Sequence, residues 1–306
     1  MNNPLRIIVI LSVIGLGGIL INAAQQEETP ISATPNEKEI VTDPNYQITA
    51  VKIPEDLNLA GEKVPLDKDY IKEQIDRELL VNTYWQSNAL LWLKRIHKYF
   101  PIIEPILKEN GVPDDFKYLA VIESNLMNVT SPAGAKGFWQ LMTAAGRENG
   151  LEINSNVDER YHLEKATKAA CDYLKAAKER FGSWTLAAAA YHGGNAGIAS
   201  KLATQKVDNY YDLLSGENTE RYVPRILAAK EILSNPEKYG FHYEKEDLYS
   251  LGKTKLVKVD TPITNIADFA LAQGTYYREL KNFNPWLREN KLNNKSRKVY
   301  YIKIPI

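Results

Sequence analysis

The sequence predicts a mainly α protein: a helical domain over residues 66–250, then a small β-α-α-β unit over residues 251–306. Two observations carry this expectation. Between residues 86 and 233 apolar residues recur at helical spacing, and no run alternates as a half-buried strand would. After residue 250 two short strand-like runs, 256–259 and 300–304, bracket helical runs at 263–273 and 276–283 around Gly274. A unit of roughly fifty residues is near the lower limit for independent folding.

The chain opens with an export-type segment over residues 1–24. Arg6 and the amino terminus supply positive charge, and residues 7–21 are uncharged and apolar. That run is shorter than the ~20 residues that span a bilayer comfortably. Both a cleaved signal and an uncleaved membrane anchor fit, and each implies an exported protein of the periplasm or cell envelope. No cysteine follows the run, which argues against a lipid anchor. Residues 25–65 are rich in Gln, Glu, Thr, Pro and Lys without periodicity, the composition of a linker.

Helices are then expected in order. The first covers residues 69–81. The second covers 86–100, with Ala89, Trp92, Leu93, Ile96 and Phe100 as its apolar stripe. Pro101 ends or turns it, and a short third helix follows over 102–109 before Asn110-Gly111. Pro113 opens a helix running to Ser124, with Asp114 and Asp115 in its first turn, where negative charge is favourable. Further helices fit 163–181, stopped by Gly182, then 184–191 and 219–233.

Composition narrows the function. The 38 basic and 38 acidic residues balance, so nothing points to nucleic acid. The 18 Tyr and 5 Trp suit stacking on the C–H faces of sugars, but core packing explains them equally well. One cysteine, Cys171, sits among alanines and reads as a buried inert thiol. No H-E-x-x-H pair or G-x-S-x-G turn occurs, and neither a metal nor a cofactor is expected.

Glu123 is the notable residue. Phe116, Leu119, Ala120 and Glu123 share one helix face, so a carboxyl continues an apolar stripe. Burial there would raise its pKa and keep a proton available near neutrality, as general-acid catalysis needs. The helix alone leaves open a structural glutamate satisfied by a neighbour. Next comes residues 131–142, Ser-Pro-Ala-Gly-Ala-Lys-Gly-Phe-Trp-Gln-Leu-Met, where Gly134 and Gly137 permit positive φ or close backbone approach to a ligand.

Glu123-Ser124, the 131–142 run, Ala190-Tyr191-His192-Gly193-Gly194 and Thr219-Glu-Arg-Tyr-Val-Pro224 come in an order that resembles the lytic transglycosylases. That family is related to goose-type lysozyme, and the resemblance implies a lysozyme-like α-helical catalytic domain. It implies Glu123 as the catalytic acid. It also implies a saccharide groove bounded by Ser124, Ser131, Gly134, Gly137, Gln140, His192, Gly193, Thr219 and Tyr222, with Tyr191 orienting the acid. Two positions depart from the family pattern: His192 stands where Asn is usual, and Asn218-Thr219 where Glu-Thr is usual.

The implied partner is the glycan strand of peptidoglycan. The implied chemistry is non-hydrolytic cleavage between N-acetylmuramic acid and N-acetylglucosamine, leaving a 1,6-anhydro end. A hydrolytic goose-type muramidase and an inactive peptidoglycan-binding scaffold are the alternatives. In the C-terminal unit, Ile266-Ala267, Gly274, Leu280, Asn284-Pro285 and Ile304-Pro305 resemble the glycan-binding LysM module, with Val259-Asp260 where Gly-Asp is usual. A structural cap on the enzyme is the alternative there.

Overall fold

A computed structural model describes residues 48–306. The expected export segment 1–24 and the linker as far as residue 47 lie outside the described residues. The rest of the expected linker is not featureless. Strand β1 (Asn58–Leu59) pairs antiparallel with β2 (Glu62–Lys63) around Ala60-Gly61. Leu57, Leu59 and Val64 are buried in the main core, so the folded part begins before residue 66. A run of only three such residues separated by polar ones carries no usable periodicity, which is why composition suggested a linker.

The hairpin has a structural task. Glu62 accepts from the backbone N–H groups of Trp184 and Thr185 at 2.6 and 2.9 Å, and from the hydroxyls of Ser183 and Thr185. These are the donors left open at the start of helix α6 (Trp184–Gly193), where Ser183 also caps Leu186 N–H. Helix α6 is itself buried through residues 185–190, and its run of alanines lets neighbouring helices approach closely.

The other main helices are α1 (Asp69–Tyr84), α2 (Gln86–Glu109), α3 (Lys117–Ser124), α5 (Leu163–Phe181) and α9 (Tyr222–Ser234), of which α5 and α9 pack on α6. Helix α9 packs on α1, α3 and α6, and α5 on α2 and α6. Pro101 does not divide α2. The helix runs on through Pro101 and Pro105, and both lie on its exposed side. The carbonyls deprived of a partner therefore face water, while Ile103 and Leu107 on the inner side keep the helix seated. Pro224 lies in the first turn of α9, where a missing N–H is harmless.

Three short helices had no clear signal in the sequence: α4 (Thr143–Glu148), α7 (Asn195–Gln205) and α8 (Glu217–Glu220). Each buries a single residue, Gly146, Ile198 or Thr219, so none shows an apolar stripe.

The C-terminal unit has the expected order. Strand β3 (Thr254–Val259) pairs antiparallel with β4 (Tyr300–Pro305), Thr254 opposite Pro305 and Val259 opposite Tyr300. Between them lie α10 (Ile266–Ala272) and α11 (Tyr277–Phe283). Helix α10 starts three residues later than the pattern suggested, because Asn265 caps Ala267 N–H and Ile263 bridges Leu292. The unit is not tethered loosely. Val157 bridges Leu287, Asp158 N–H donates to Trp286 O at 2.9 Å, and Arg288 N–H to Asn156 O at 2.8 Å. Val157 and Tyr161 belong to the same apolar cluster as Ile266, Leu280, Trp286 and Ile302. The change at residue 250 is thus a boundary in pattern, with continuous packing across it.

Replacing Glu62 with Ala is expected to lower stability by about 2 kcal/mol at neutral pH, from the lost helix cap and charged hydrogen bonds. Burial raises the Glu62 pKa, but the hydrogen bonds from Trp184 and Thr185 outweigh it and lower the net value. The stabilisation is therefore present above the ordinary carboxylate range and fades as pH falls through the lowered folded value. Urea unfolding at pH 7 and pH 3 checks this, and equal midpoints for both proteins at pH 7 would refute the cap.

Candidate active site

Glu123 is the penultimate residue of α3, whose inner face is Phe116, Leu119 and Ala120. The helix stops abruptly after it. Asn125 and Leu126 both adopt left-handed backbone, φ 53° and 55°. Two successive non-glycine residues in that region are strained, and such strain needs support from the surroundings. Helix α2 provides it: Trp92 Nε1–H donates to Asn125 Oδ1 at 2.8 Å, and Arg95 to Asn125 O at 3.0 Å. Leu126 is held by burial. The turn leaves Glu123 at the rim of the core with its carboxyl half-buried.

The Tyr222 hydroxyl donates to Glu123 Oε1. Burial raises the Glu123 pKa to about 7, against the opposing effects of that hydrogen bond and the positive charge of Arg225. Both the protonated and the ionised carboxyl are therefore accessible near neutral pH. Tyr222 is in turn roofed by His192, whose ring stacks on it at 4.8 Å and 24°. Burial and Arg225 lower the His192 pKa, so the roof is a neutral ring near pH 7.

Tyr191 was expected to orient the acid, and here the structure differs. Its hydroxyl donates to Trp139 O at 2.6 Å, and its ring meets Tyr173 edge-on. It is close enough for the Glu123 charge to raise its pKa further, after burial itself. Tyr222, which begins α9, is the residue that reaches the acid. Two tyrosines on separate helices look alike in sequence, and only the packing of α9 on α3 distinguishes them.

The start of α9 is seated by a buried carboxylate. Glu78 on α1 accepts from Arg221 Nε at 2.6 Å and from Arg77 at 2.9 Å, with Arg225 Nε 3.9 Å away. Arg225 is thus within ion-pair reach of Glu78 while its charge is also felt at Glu123. Thr219 is buried, and its carbonyl accepts from Tyr210 at 2.9 Å.

Residues 131–142 form a compact loop beside α3. Ser124 is buried, and its hydroxyl donates to Phe138 O at 2.8 Å and Ala120 O at 3.1 Å. It ties the loop to the helix and does not face a groove. Ser131 accepts from Ala135 N–H at 3.0 Å. Gly137 does not serve ligand approach: a Cβ there would lie 1.9 Å from Arg160 O. Gly134, at φ 89°, has open space around it, and Gly193 packs near Ile198 and Thr219. Gln140, with φ 46°, donates its amide to Gly137 O at 2.7 Å and Val129 O at 3.2 Å. Both amide hydrogens are taken, so its carbonyl oxygen is the atom left for a ligand.

Arg160 anchors this loop. It bonds Asp158 through Nε and NH2 at 2.9 and 2.7 Å, and its NH1 reaches Leu141 O at 3.2 Å and Gly134 O at 3.3 Å. Both partners are almost wholly buried. The sequence reading missed Asp158, Arg160, Glu78, Trp92 and Arg95 as supports. Charged residues scattered in turns and along helices look like solvated surface, and no periodicity separates them from it.

Residues 100–213 match the model of the Transglycosylase SLT domain, and residues 255–306 that of the Soluble lytic transglycosylase C-terminal LysM-like domain. The chain is 28% identical over 247 residues to Membrane-bound lytic murein transglycosylase D of Escherichia coli strain K12, and equally to that of strain O6:H1. The match covers 78% of this chain and 52% of each relative, so the chain spans about half the length of the curated relatives it matches. The helical domain is lysozyme-like and the C-terminal unit LysM-like.

Two outcomes are expected. Glu123 has a folded pKa raised from 4.5 to about 7, so its contribution to stability is intact below pH 4.5 and lost as pH rises through 7. Glu123→Gln escapes that loss and should be more stable than wild type at pH 8 by up to about 3 kcal/mol, with the difference vanishing at pH 4. Thermal melts across that range test it, and a pH-independent difference would contradict the burial argument. Gly137→Ala should destabilise by more than about 3 kcal/mol, through its Cβ clash and positive φ.

Proposed function

We propose that this chain is a lytic transglycosylase of peptidoglycan, cleaving the β-1,4 bond from N-acetylmuramic acid to N-acetylglucosamine and leaving a 1,6-anhydro end. The observation that carries the reading is one half-buried carboxyl, Glu123, with a pKa of about 7 and a phenol, Tyr222, as its hydrogen-bond partner. The SLT and LysM-like matches and the murein transglycosylase relatives support it.

Glu123 is the catalytic acid and then the base. Protonated, it gives its proton to the glycosidic oxygen as the bond to the muramic acid C1 breaks. The acetamido group of that sugar stabilises the positive charge at C1. The Glu123 carboxylate then takes the proton from the same sugar's 6-hydroxyl, whose oxygen closes on C1. The proton returns to Glu123 and no water is consumed. A hydrolase of the usual kind needs a second free carboxylate. Glu78, the other buried carboxylate nearby, is taken up by Arg77 and Arg221. Tyr222 stabilises the carboxylate form between the two proton transfers.

The remaining assignments follow the same reading. Gln140 presents its carbonyl oxygen to sugar N–H or O–H groups. Ser131, Gly134, His192, Gly193 and Thr219 belong to the groove rim, with His192 also roofing Tyr222. Ser124, Gly137 and Tyr191 act through the backbone they hold. Residues 1–24 are a signal or membrane anchor placing residues 66–250, the catalytic domain, and 251–306, the LysM-like module, in the periplasm or cell envelope. Among the described residues no helix is long and apolar enough to cross a membrane.

Digestion of purified peptidoglycan followed by mass spectrometry tests the reaction. Products lighter by one water than their hydrated counterparts are expected, and hydrated reducing ends alone would indicate a muramidase instead. Glu123→Gln should reduce release about 1,000-fold, since it removes the carboxyl proton that the reaction transfers. The wild-type rate should fall as pH rises above about 7, where Glu123 loses its proton.

A further inference from the structure

A cavity of ≈ 310 Å³ opens where α2 meets the C-terminal unit. Its walls include Lys98 and Tyr99 from α2, Asn128 from the segment after Glu123, and Asn282, Phe283 and Trp286 from the C-terminal unit. The size is that of a small-ligand site. The wall also holds two carboxylates, and both are already engaged: Glu164 is paired with Lys303 and His162, and Glu279 accepts from Thr275.

The unmatched groups in the wall are mainly donors. Lys98 has no carboxylate partner among the described residues and rests 5.1 Å from the Tyr99 ring. The side-chain amides of Asn128 and Asn282 and the indole N–H of Trp286 have no hydrogen-bond partner among the described residues. Beside them lie the aromatic rings of Tyr99, Phe283 and Trp286. Rings suit the C–H faces of sugars, amides suit acetamido groups, and a free ammonium suits a carboxylate. Asn128 follows Glu123 by five residues, so its Cα lies within ~18 Å of the acid's.

We infer that this cavity is a second binding site, a distal subsite that holds a carboxylate-bearing N-acetylated sugar of the strand being cut at Glu123. The inference rests on the proposed function and adds the site, its residues and its preference for an acidic sugar. Lys98 supplies the charge recognition. Asn128 and Asn282 read the acetamido groups from opposite walls. Because the walls come from both parts of the molecule, the packing of Val157 and Tyr161 against the C-terminal core holds the site open.

The test uses the full chain carrying Glu123→Gln, which binds without cutting. Calorimetry would compare two hexasaccharides: the neutral N-acetylglucosamine hexamer, and the peptide-free alternating hexamer whose muramic acids carry carboxylates. Adding Lys98→Ala should weaken the acidic hexamer about tenfold, as for loss of one charged hydrogen bond, and leave the neutral one unchanged. Adding Asn282→Ala should weaken both. Lys98 and Asn282 are not core residues, so circular dichroism should show the fold intact. Undiminished affinity of the Lys98→Ala protein for the acidic hexamer overturns the subsite while leaving the proposed function standing. If the Glu123→Gln protein binds neither hexamer, the proposed function fails and the subsite with it.

Discussion

The site depends on one constraint: a carboxyl group kept at the edge of water yet able to hold a proton near pH 7. Glu123 meets it by ending a helix whose other inward residues are apolar. Desolvation raises its pKa, and every neighbour that would favour the charged form is limited. Tyr222 gives one neutral hydrogen bond. The charge of Arg225 lowers the pKa less than burial raises it, and Arg225 lies 3.9 Å from the buried Glu78 as well. A second carboxylate, Glu78, thus offers Arg225 an alternative partner to the Glu123 carboxyl.

The loop at residues 131–142 shows a second use of buried charge. The Asp158–Arg160 pair is nearly free of solvent, which costs desolvation on both sides. The arrangement is tolerable because four of the five Arg160 donors are used: two bonds go to Asp158 and two to loop carbonyls. Burial raises the Asp158 pKa, but the bonds from Arg160 outweigh it and keep the group ionised. The backbone N–H of the same aspartate donates to Trp286 O. The loop beside the acid and the C-terminal unit are therefore fixed through one residue.

How legible each part was depended on its repeat. Helices α1, α2, α3, α5, α6 and α9 were visible because each lays an apolar stripe on the core. Helices α4, α7 and α8 bury one residue each and left no pattern. Pro101 suggested a break because local rules forbid proline inside a helix, yet its exposed position leaves the affected carbonyl in water. The β1–β2 hairpin read as linker, since its value lies in Glu62, which caps a helix more than a hundred residues away.

Glu123 itself was determined by sequence: a carboxylate on an apolar helix face, followed by glycine and aromatic motifs in a family order. Sequence also determined the helical domain and the β-α-α-β unit, because periodicity is a local property. Tertiary structure decided which tyrosine serves the acid, that Ser124 and Gly137 support backbone rather than face a groove, and that Glu78 lies within ion-pair reach of Arg225. These are contacts between residues far apart in the chain. Nothing in the spacing of Tyr191 and Tyr222 encodes which of them α9 and α3 bring to Glu123, so the partner of the acid emerges only when the helices pack.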